Sequence, residues 1–304
     1  MSSDLLTEVL DLVRVGGSVF CRAELRAPWA VSTKGAGSAI FHVAVRGAGE
    51  AVCGDDVRPF AAGDLVVIPH GSPHVLRSGP EATAVAIRDL PRDESHGLPC
   101  VRTGGKGEPA SILCGTFRFG PEAETLLLPW LPPILHARAG GPAVEWMDLT
   151  LKVLADEVSG ERPGSELVVA RLAEVLLVQS LRSWAASGDR AGWLRALADP
   201  QLARALGHVH AEPAADWTAD TLARKAGLSR SGFYKRFTEV VGEPPAAWVE
   251  RWRMALARRD LRGGRDGVAA IAARVGYGSE AAFSRAFKRH VGVSPRTWRK
   301  QQAA

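Results

Sequence analysis

Two groups of side chains in this 304-residue chain have types and spacings that carry chemistry. Ser231, Tyr234 and Lys235 follow an i, i+3, i+4 spacing, and Glu280, Ser284 and Arg285 form a comparable set further on. On a helix each set projects from one side. Hydroxyl, phenol, carboxylate, ammonium and guanidinium groups on an exposed helix are what hydrogen bonding to base edges in a nucleic-acid groove requires. A second group, His42, His70, His74 and Cys114, lies in the first half. Imidazoles and thiolates ligate transition metals. His42 and His74 alone fall short of the three or more ligands of a catalytic metal site, so Cys114 or His70 would have to complete it. Hydrogen-bonded core histidines are the competing reading, and at this level both stand.

The first group sits in a stretch, Thr218 to Arg299, that reads as one helix-turn-helix written twice. Leu222, Ala223 and Gly227 recur 49 residues later as Ile271, Ala272 and Gly276. Phe233, Phe237, Gly242, Pro245 and Trp248 recur at 50 as Phe283, Phe287, Gly292, Pro295 and Trp298. So many matches in a short window indicate a duplicated unit. In each copy a short apolar-periodic helix ends at a glycine able to take φ > 0, and a second helix opens after Ser229 or Ser279. The i, i+4 phenylalanines face inward and leave the polar sets facing out. Two alternatives attach to single residues: Tyr234 packing on a neighbouring helix, and Glu280 acting as a first-turn partner of the helix dipole. Trp217, Trp248, Trp252 and Trp298 have spacings that suit inward, helix-packing faces.

Between the copies, Pro245 to Arg262 has no internal Pro or Gly and closes on Gly263-Gly264, which predicts one joining helix. Its length of roughly 27 Å, with the flanking turns, approaches the roughly 34 Å helical repeat of B-DNA. One chain is therefore expected to set two helices into successive turns of one major groove.

The whole chain carries a net charge of +5, unevenly spread: from Glu212 onward 18 Lys+Arg stand against 9 Asp+Glu. A basic half that coincides with the duplicated motif fits a nucleic-acid footprint better than scattered solvated arginines. No run approaches 18 uninterrupted apolar residues, and the start lacks a basic n-region and cleavage site, so a cytoplasmic protein with no membrane partner is expected. Cys21, Cys53, Cys100 and Cys114 show no CxxC and no pairing pattern, so reduced thiols are expected.

Residues from about Ser18 to Leu90 alternate and turn as an all-β unit, in segments SVFCRAEL, AIFHVAVRG, EAVCG, DLVVIPHG, HVLRSG and TAVAIRDL. Thr103 to Ala110 reads as a loop whose glycines lack phosphate-loop spacing. Ala143 to Val158 and Ser165 to Trp184 read as two helices. The second is apolar over more than half its circumference, which suits either a second subunit or burial between two layers of its own domain. Ala185 to Gly192 is small and polar, as an interdomain linker is.

These residues carry resemblances. Asp199 to the C-terminus resembles the DNA-binding domain of the AraC/XylS family of bacterial transcription regulators, on the lead helix up to Ala211, GLSRSGFYKRF from Gly227, the joining helix, and GYGSEAAFSRAFKRHVGVSP from Gly276. Mapped position by position, that resemblance implies base-facing roles for Ser231, Tyr234, Lys235, Glu280, Ala281, Ser284 and Arg285, and phosphate contacts for Arg230 and Lys288. Gly63 to His74 fits the second motif of the cupin barrel, G-x5-P-x-G-x2-H. The first cupin motif is reduced to His42, since Ala44 stands where a second histidine belongs and the glutamate is missing. The half from Met1 to about Ala186 resembles the cupin-type sensor domain of one branch of the same family, on FCRAELRAPW, FHVAVRG, GDLVVIPHGSPH, ILCGTFRF and LLLPWLPPILH. It implies a small-molecule or redox sensor.

The expected fold is therefore α+β in two domains. A cupin-like β-barrel with following helices covers 1–186 and a linker 187–197. An all-α domain covers 198–304, with helix-turn-helix units at about 218–242 and 267–292 and a joining helix at 245–262. The expected function is a sequence-specific DNA-binding transcription regulator, not an enzyme, that senses an unassigned small molecule or a redox or metal signal. The alternative is a cupin metalloenzyme with an accessory helical domain. Expected partners are double-stranded DNA, a second copy in a homodimer, a small-molecule effector and RNA polymerase. No cofactor is required, with a metal ion in the cupin domain as the one candidate.

Overall fold

The computed structural model describes residues 5–94, 98–138, 149–150, 153–154, 156–157, 162–187, 192–264 and 266–303. They fall into two compact units, one of Val15–Phe119 and Leu131–Ser187, the other of Met1–Arg14, Gly120–Trp130 and Gly188–Ala304.

The first unit is built on strands β1 Gly16–Arg26, β2 Ala30–Thr33, β3 Ala39–Arg46, β4 Ala48–Cys53, β5 Asp56–Ala61, β6 Leu65–Ile68, β7 His74–Arg77, β8 Ala84–Ala86, β9 Arg92–Asp93, β10 Cys100–Gly104, β11 Pro109–Arg118 and β12 Leu135–Ala137. They form a seven-stranded sheet in the order β12-β6-β3-β11-β1-β10-β9 and a five-stranded sheet in the order β5-β4-β7-β2-β8. Among the described residues the ladders do not close on themselves, so the expected barrel is realised as two sheets around one core. That core takes Leu25, Val66, Ile68 and Ile112 from the larger sheet and Val31, Phe60 and Leu76 from the smaller. Alternation supplies it: one face of each strand is apolar and the other polar.

The run from Thr103 to Ala110, expected as a loop, is one only in its middle. Thr103 and Gly104 finish β10, and Pro109 and Ala110 begin β11, because Leu25 of β1 pairs with Thr103 on one edge and with Ala110 on the other. Of the helix expected over 143–158, residues 143–148, 151–152, 155 and 158 lie outside the described residues; the others are helical. The next helix runs Ser165–Ser187, three residues beyond Trp184. It buries Val169, Ala173, Leu176, Leu177 and Leu181, yet leaves Leu167, Val168 and Val175 exposed. Of the stretch expected as linker, 188–191 lie outside the described residues. Trp193–Ala198 winds into a 3-10 turn whose Trp193 indole N–H donates to the Leu126 carbonyl at 2.6 Å.

The helical unit contains α1 Leu5–Val13, α2 Ala123–Leu126 and, after the Ser165–Ser187 helix (α3) of the other unit, α4 Pro200–Ala211, α5 Ala219–Ala226, α6 Arg230–Val241, α7 Pro245–Gly263, α8 Val268–Arg274, α9 Glu280–Val291 and α10 Pro295–Ala303. Asp199 caps α4, accepting from the N–H groups of Gln201 and Leu202, and Pro200 takes the first helical position. Four fully buried phenylalanines, Phe233 and Phe237 on α6 and Phe283 and Phe287 on α9, fill the two copies. Trp248 and Trp252 are buried on α7, while Trp217 and Trp298 are half-buried.

Polar brackets hold the three chain segments of this unit together. The Glu122 carboxylate, wholly buried, accepts from both Arg262 terminal nitrogens at 2.8 and 3.0 Å. Arg258 donates to Thr125 Oγ1 at 3.0 Å and lies over the Trp298 ring, and Arg251 lies over Trp130. His210 stacks on Trp252 and pairs with Glu8 at 2.5 Å.

Candidate functional site

The two copies are positioned by the same local devices. α5 ends at Gly227, whose φ of 70° is left-handed, and α8 gives way one residue later to Gly276 with φ 85°. Both turns close with a bond back to the helix: Leu228 N–H to Ala223 O and Tyr277 N–H to Ala272 O, each 2.9 Å. Ser229 Oγ then accepts from Gly232 N–H at 3.2 Å, and Ser279 Oγ from Ala282 N–H at 3.1 Å. Between turn glycine and cap the first copy has Leu228 alone, the second Tyr277 and Gly278. That is the residue by which the offset changes from 49 to 50.

With the phenylalanines committed to the core, α6 exposes Arg230, Ser231, Tyr234 and Lys235, and α9 exposes Ala281, Arg285 and Lys288, with Glu280 and Ser284 half-buried. Tyr234, 48% exposed, is not packed on a neighbouring helix. The Glu280 carboxylate is engaged by Arg296 at 3.1 Å in the first turn of α9. Arg230 and Lys235 make loose exposed pairs with Asp220 and Glu239 at 3.6 and 3.9 Å, pairs that water and salt loosen readily. Arg285 and Lys288 have no ion pair among the described residues. Part of the basic excess is structural: Arg251, Arg253, Arg258 and Arg262 are spent inside the unit.

In the sheet unit, the corner Pro69-His70-Gly71, with Gly71 at φ 62°, turns the chain so that His74 enters the core. His42 and His74 meet there, Nε2 to Nε2 at 2.9 Å. His42 Nδ1 lies 3.2 Å from Cys114 Sγ, and His74 Nδ1 lies 2.9 Å from the Ser72 carbonyl oxygen. Burial, reinforced by His74, holds His42 well below the ordinary imidazole value, and burial lowers His74 too, opposed by its bond to Ser72. Both rings are therefore neutral. His70 is not part of the cluster; it is exposed and directed at Leu131 O at 3.2 Å. The structure thus brings together three of the four candidates. Sequence reasoning missed the fourth member, Cys21, which stands directly opposite Cys114 in the β1–β11 ladder. Among the described residues no group of three or more His, Cys, Asp or Glu is disposed to hold a metal ion. Each imidazole nitrogen is instead used in a hydrogen bond. A second histidine contact, His136 Nε2 to Asp64 at 3.0 Å, lies at the β12–β6 edge and was also not foreseen.

Comparison with known proteins agrees with this division. Residues 4–186 match the cupin family, and residues 222–301 match a helix-turn-helix domain family. An AraC-like transcription regulator of Streptomyces lividans is 36% identical over 301 residues, 98% of each chain. One from Streptomyces antibioticus is 35% identical over 301 residues, again 98% of each. The transcriptional regulator AlkR of Acinetobacter baylyi is 28% identical over 306 residues, covering 98% of this chain and 99% of its own.

Proposed function

The chain belongs to the AraC-type helix-turn-helix transcription regulators that carry an N-terminal cupin domain, and we propose that it reads DNA with α6 and α9, one in each of two successive turns of the major groove. It is a DNA-binding regulator; its relatives are regulators over their whole length, which favours that reading over a cupin metalloenzyme. The observation that carries the two-helix proposal is that both copies bury their phenylalanines and turn polar, serine-capped helices to solvent. They are joined by α7, whose 19 residues span about 28 Å at 1.5 Å per residue. Base contacts are assigned to Ser231, Tyr234, Lys235, Ala281, Ser284 and Arg285, phosphate contacts to Arg230 and Lys288. Glu280, held by Arg296, is the weakest member of the set.

Gel-shift titration separates the two roles. Arg285→Ala is expected to weaken binding to the selected site by about 5- to 150-fold, corresponding to about 1–3 kcal/mol, and barely to change binding to random DNA. Lys288→Ala is expected to weaken both and to reduce the slope of log K against log salt by about 1. Equal losses for Arg285→Ala on both DNAs remove it from base readout.

The cupin domain is assigned the sensing and dimerising role, with the protein acting in the cytoplasm and RNA polymerase as a downstream partner. A homodimer through α3 is supported by the exposed Val168 and Val175, seven residues apart on one stripe, with Leu167 beside them. The effector enters as a change in how paired chains reach their half-sites, which alters effective concentration and not contact energy. No resident metal is required for this.

A further inference from the structure

Cys21, Cys114 and His42 are ladder partners in one row across β1, β11 and β3: Cys21 faces Cys114, and Cys114 faces His42. Direct partners point to the same side of a sheet, here the core. From the other sheet His74 completes the row. The tautomers of this chain are fixed from its far end. The Ser72 carbonyl only accepts, so His74 Nδ1 carries a proton and, the ring being neutral, its Nε2 accepts. His42 Nε2 must then donate to it, which leaves His42 Nδ1 as the acceptor for the Cys114 S–H. Cys114 has only its sulfur lone pairs left to offer Cys21.

Every bond in that chain can be reversed without breaking any of them. If the Cys21 proton moves to Cys114, that of Cys114 to His42 and that of His42 to His74, the result is a Cys21 thiolate that accepts from Cys114 S–H. At the far end stands an imidazolium at His74, whose Nδ1–H still faces the Ser72 carbonyl. The electrostatics lean the same way. The bond from Cys114, opposed by burial and helped by Arg92 of β9, lowers the Cys21 thiol, while the bond to Cys21 and burial push the Cys114 thiol well up. The ladder is also irregular beside Cys21, with a bulge between Val19 and Cys21 and an exposed Phe20. A bulge leaves backbone unpaired and is a natural point of entry for a small solute. Cys100, by contrast, faces Arg22 on the opposite side of β1, and Cys53 lies in the other sheet.

We propose that Cys21 and Cys114 are a thiol oxidation site, with the Cys114–His42–His74 chain taking the proton of Cys21 and a small two-electron oxidant such as hydrogen peroxide as the reactant. The Cys21 thiolate attacks one peroxide oxygen; the S–O bond forms, the O–O bond breaks, and the departing hydroxide leaves as water with the proton held at His74. Cys114 sulfur then attacks Cys21 sulfur, the S–S bond forms, and the S–O bond breaks, with the departing hydroxide taking the Cys114 proton as a second water. Two thiols lose two electrons and two protons; one peroxide becomes two waters. Facing residues in an antiparallel ladder have Cα atoms about 4.5–5.5 Å apart, inside the about 4.4–6.8 Å range of disulfides. Once Cys114 has lost its S–H, the buried Nδ1 of His42 has no donor, so oxidation is felt on β3. This deepens the sensing role proposed above and rests on it.

The test treats the reduced full-length protein with hydrogen peroxide, caps the remaining thiols, and maps peptides by mass. A Cys21–Cys114 linked peptide is expected, with Cys53 and Cys100 still capped. His74→Gln is expected to slow linkage by roughly tenfold or more, since it removes the proton's destination. Cys114→Ser is expected to stop at a Cys21 sulfenic acid that dimedone traps. Thiols oxidised indiscriminately, or no linked peptide from wild-type protein that still binds its selected DNA fragment, would overturn the proposal and leave the regulator standing. Linkage with DNA affinity unchanged between reduced and oxidised protein overturns the site as a signal input. DNA binding absent in both forms defeats the regulator reading itself.

Discussion

Replacing Glu122 by alanine probes how the helical unit is held together, since Glu122 comes from the first half of the chain and its partner Arg262 from α7. The carboxylate is fully buried and takes both Arg262 bonds, at 2.8 and 3.0 Å, while the Arg262 side chain keeps 20% of its surface. Breaking a buried pair by removing one partner typically costs about 3–5 kcal/mol, because the remaining charge is stranded. Arg262 is partly wetted and retains a bond from Nε to Gln302 at 3.2 Å, so the lower part of that range applies, about 2–3 kcal/mol. That is roughly a 30- to 150-fold shift in the folding equilibrium. Urea unfolding followed by tryptophan fluorescence reads it, since Trp193, Trp248 and Trp252 are buried in the same unit. A double-mutant cycle with Arg262→Met isolates the pair: the double variant should recover part of the loss. A shift below about 0.5 kcal/mol for Glu122→Ala, the range of an ordinary surface change, would refute the bracket.

Stability should also fall with acidification. Burial depresses the folded-state values of His42, His74 and His210 below 6.5, in the last case against the pull of Glu8. The unfolded chain therefore binds more protons once pH drops below about 6.5. The stabilisation is full above that pH and is lost as pH falls towards the folded values; a flat unfolding free energy between pH 7.5 and 5.5 would contradict neutral buried imidazoles. For the dimer, Val168→Glu with Val175→Glu should shift the full chain to monomer in sedimentation while leaving its circular dichroism intact. An unchanged mass would take α3 out of the interface.

The helical half was legible because its determinants are local. Turn glycines, serine caps and i, i+4 phenylalanines each fix a conformation within a few residues, and their repetition marks both copies. The boundaries of α7 followed from Pro245 and the Gly263-Gly264 pair in the same way. The cluster in the sheets was legible only in part. The Gly63–His74 corner announced His74, but Cys21 reaches Cys114 through a strand pairing between distant segments, and no spacing encodes that register. The reach of His70 into the cluster was a guess from proximity in sequence; the turn at Gly71 sends it outward while His74 goes in. Likewise the packing of Gly120–Trp130 with the helical unit depends on Glu122 and Trp130 finding arginines on α7, a complementarity invisible until the helix face is known. The loop assigned to Thr103–Ala110 was shortened for a similar reason, since Leu25 offers ladder partners on both edges of β1.

Guanine methylation protection on the selected DNA fragment addresses the two-helix claim most directly, because dimethyl sulfate attacks N7 in the major groove. Each chain is expected to protect two patches on one face of the duplex, about 10 base pairs apart, with Arg285→Ala restoring reactivity in one patch only. A single protected patch per chain, or loss of both on that substitution, would contradict the account.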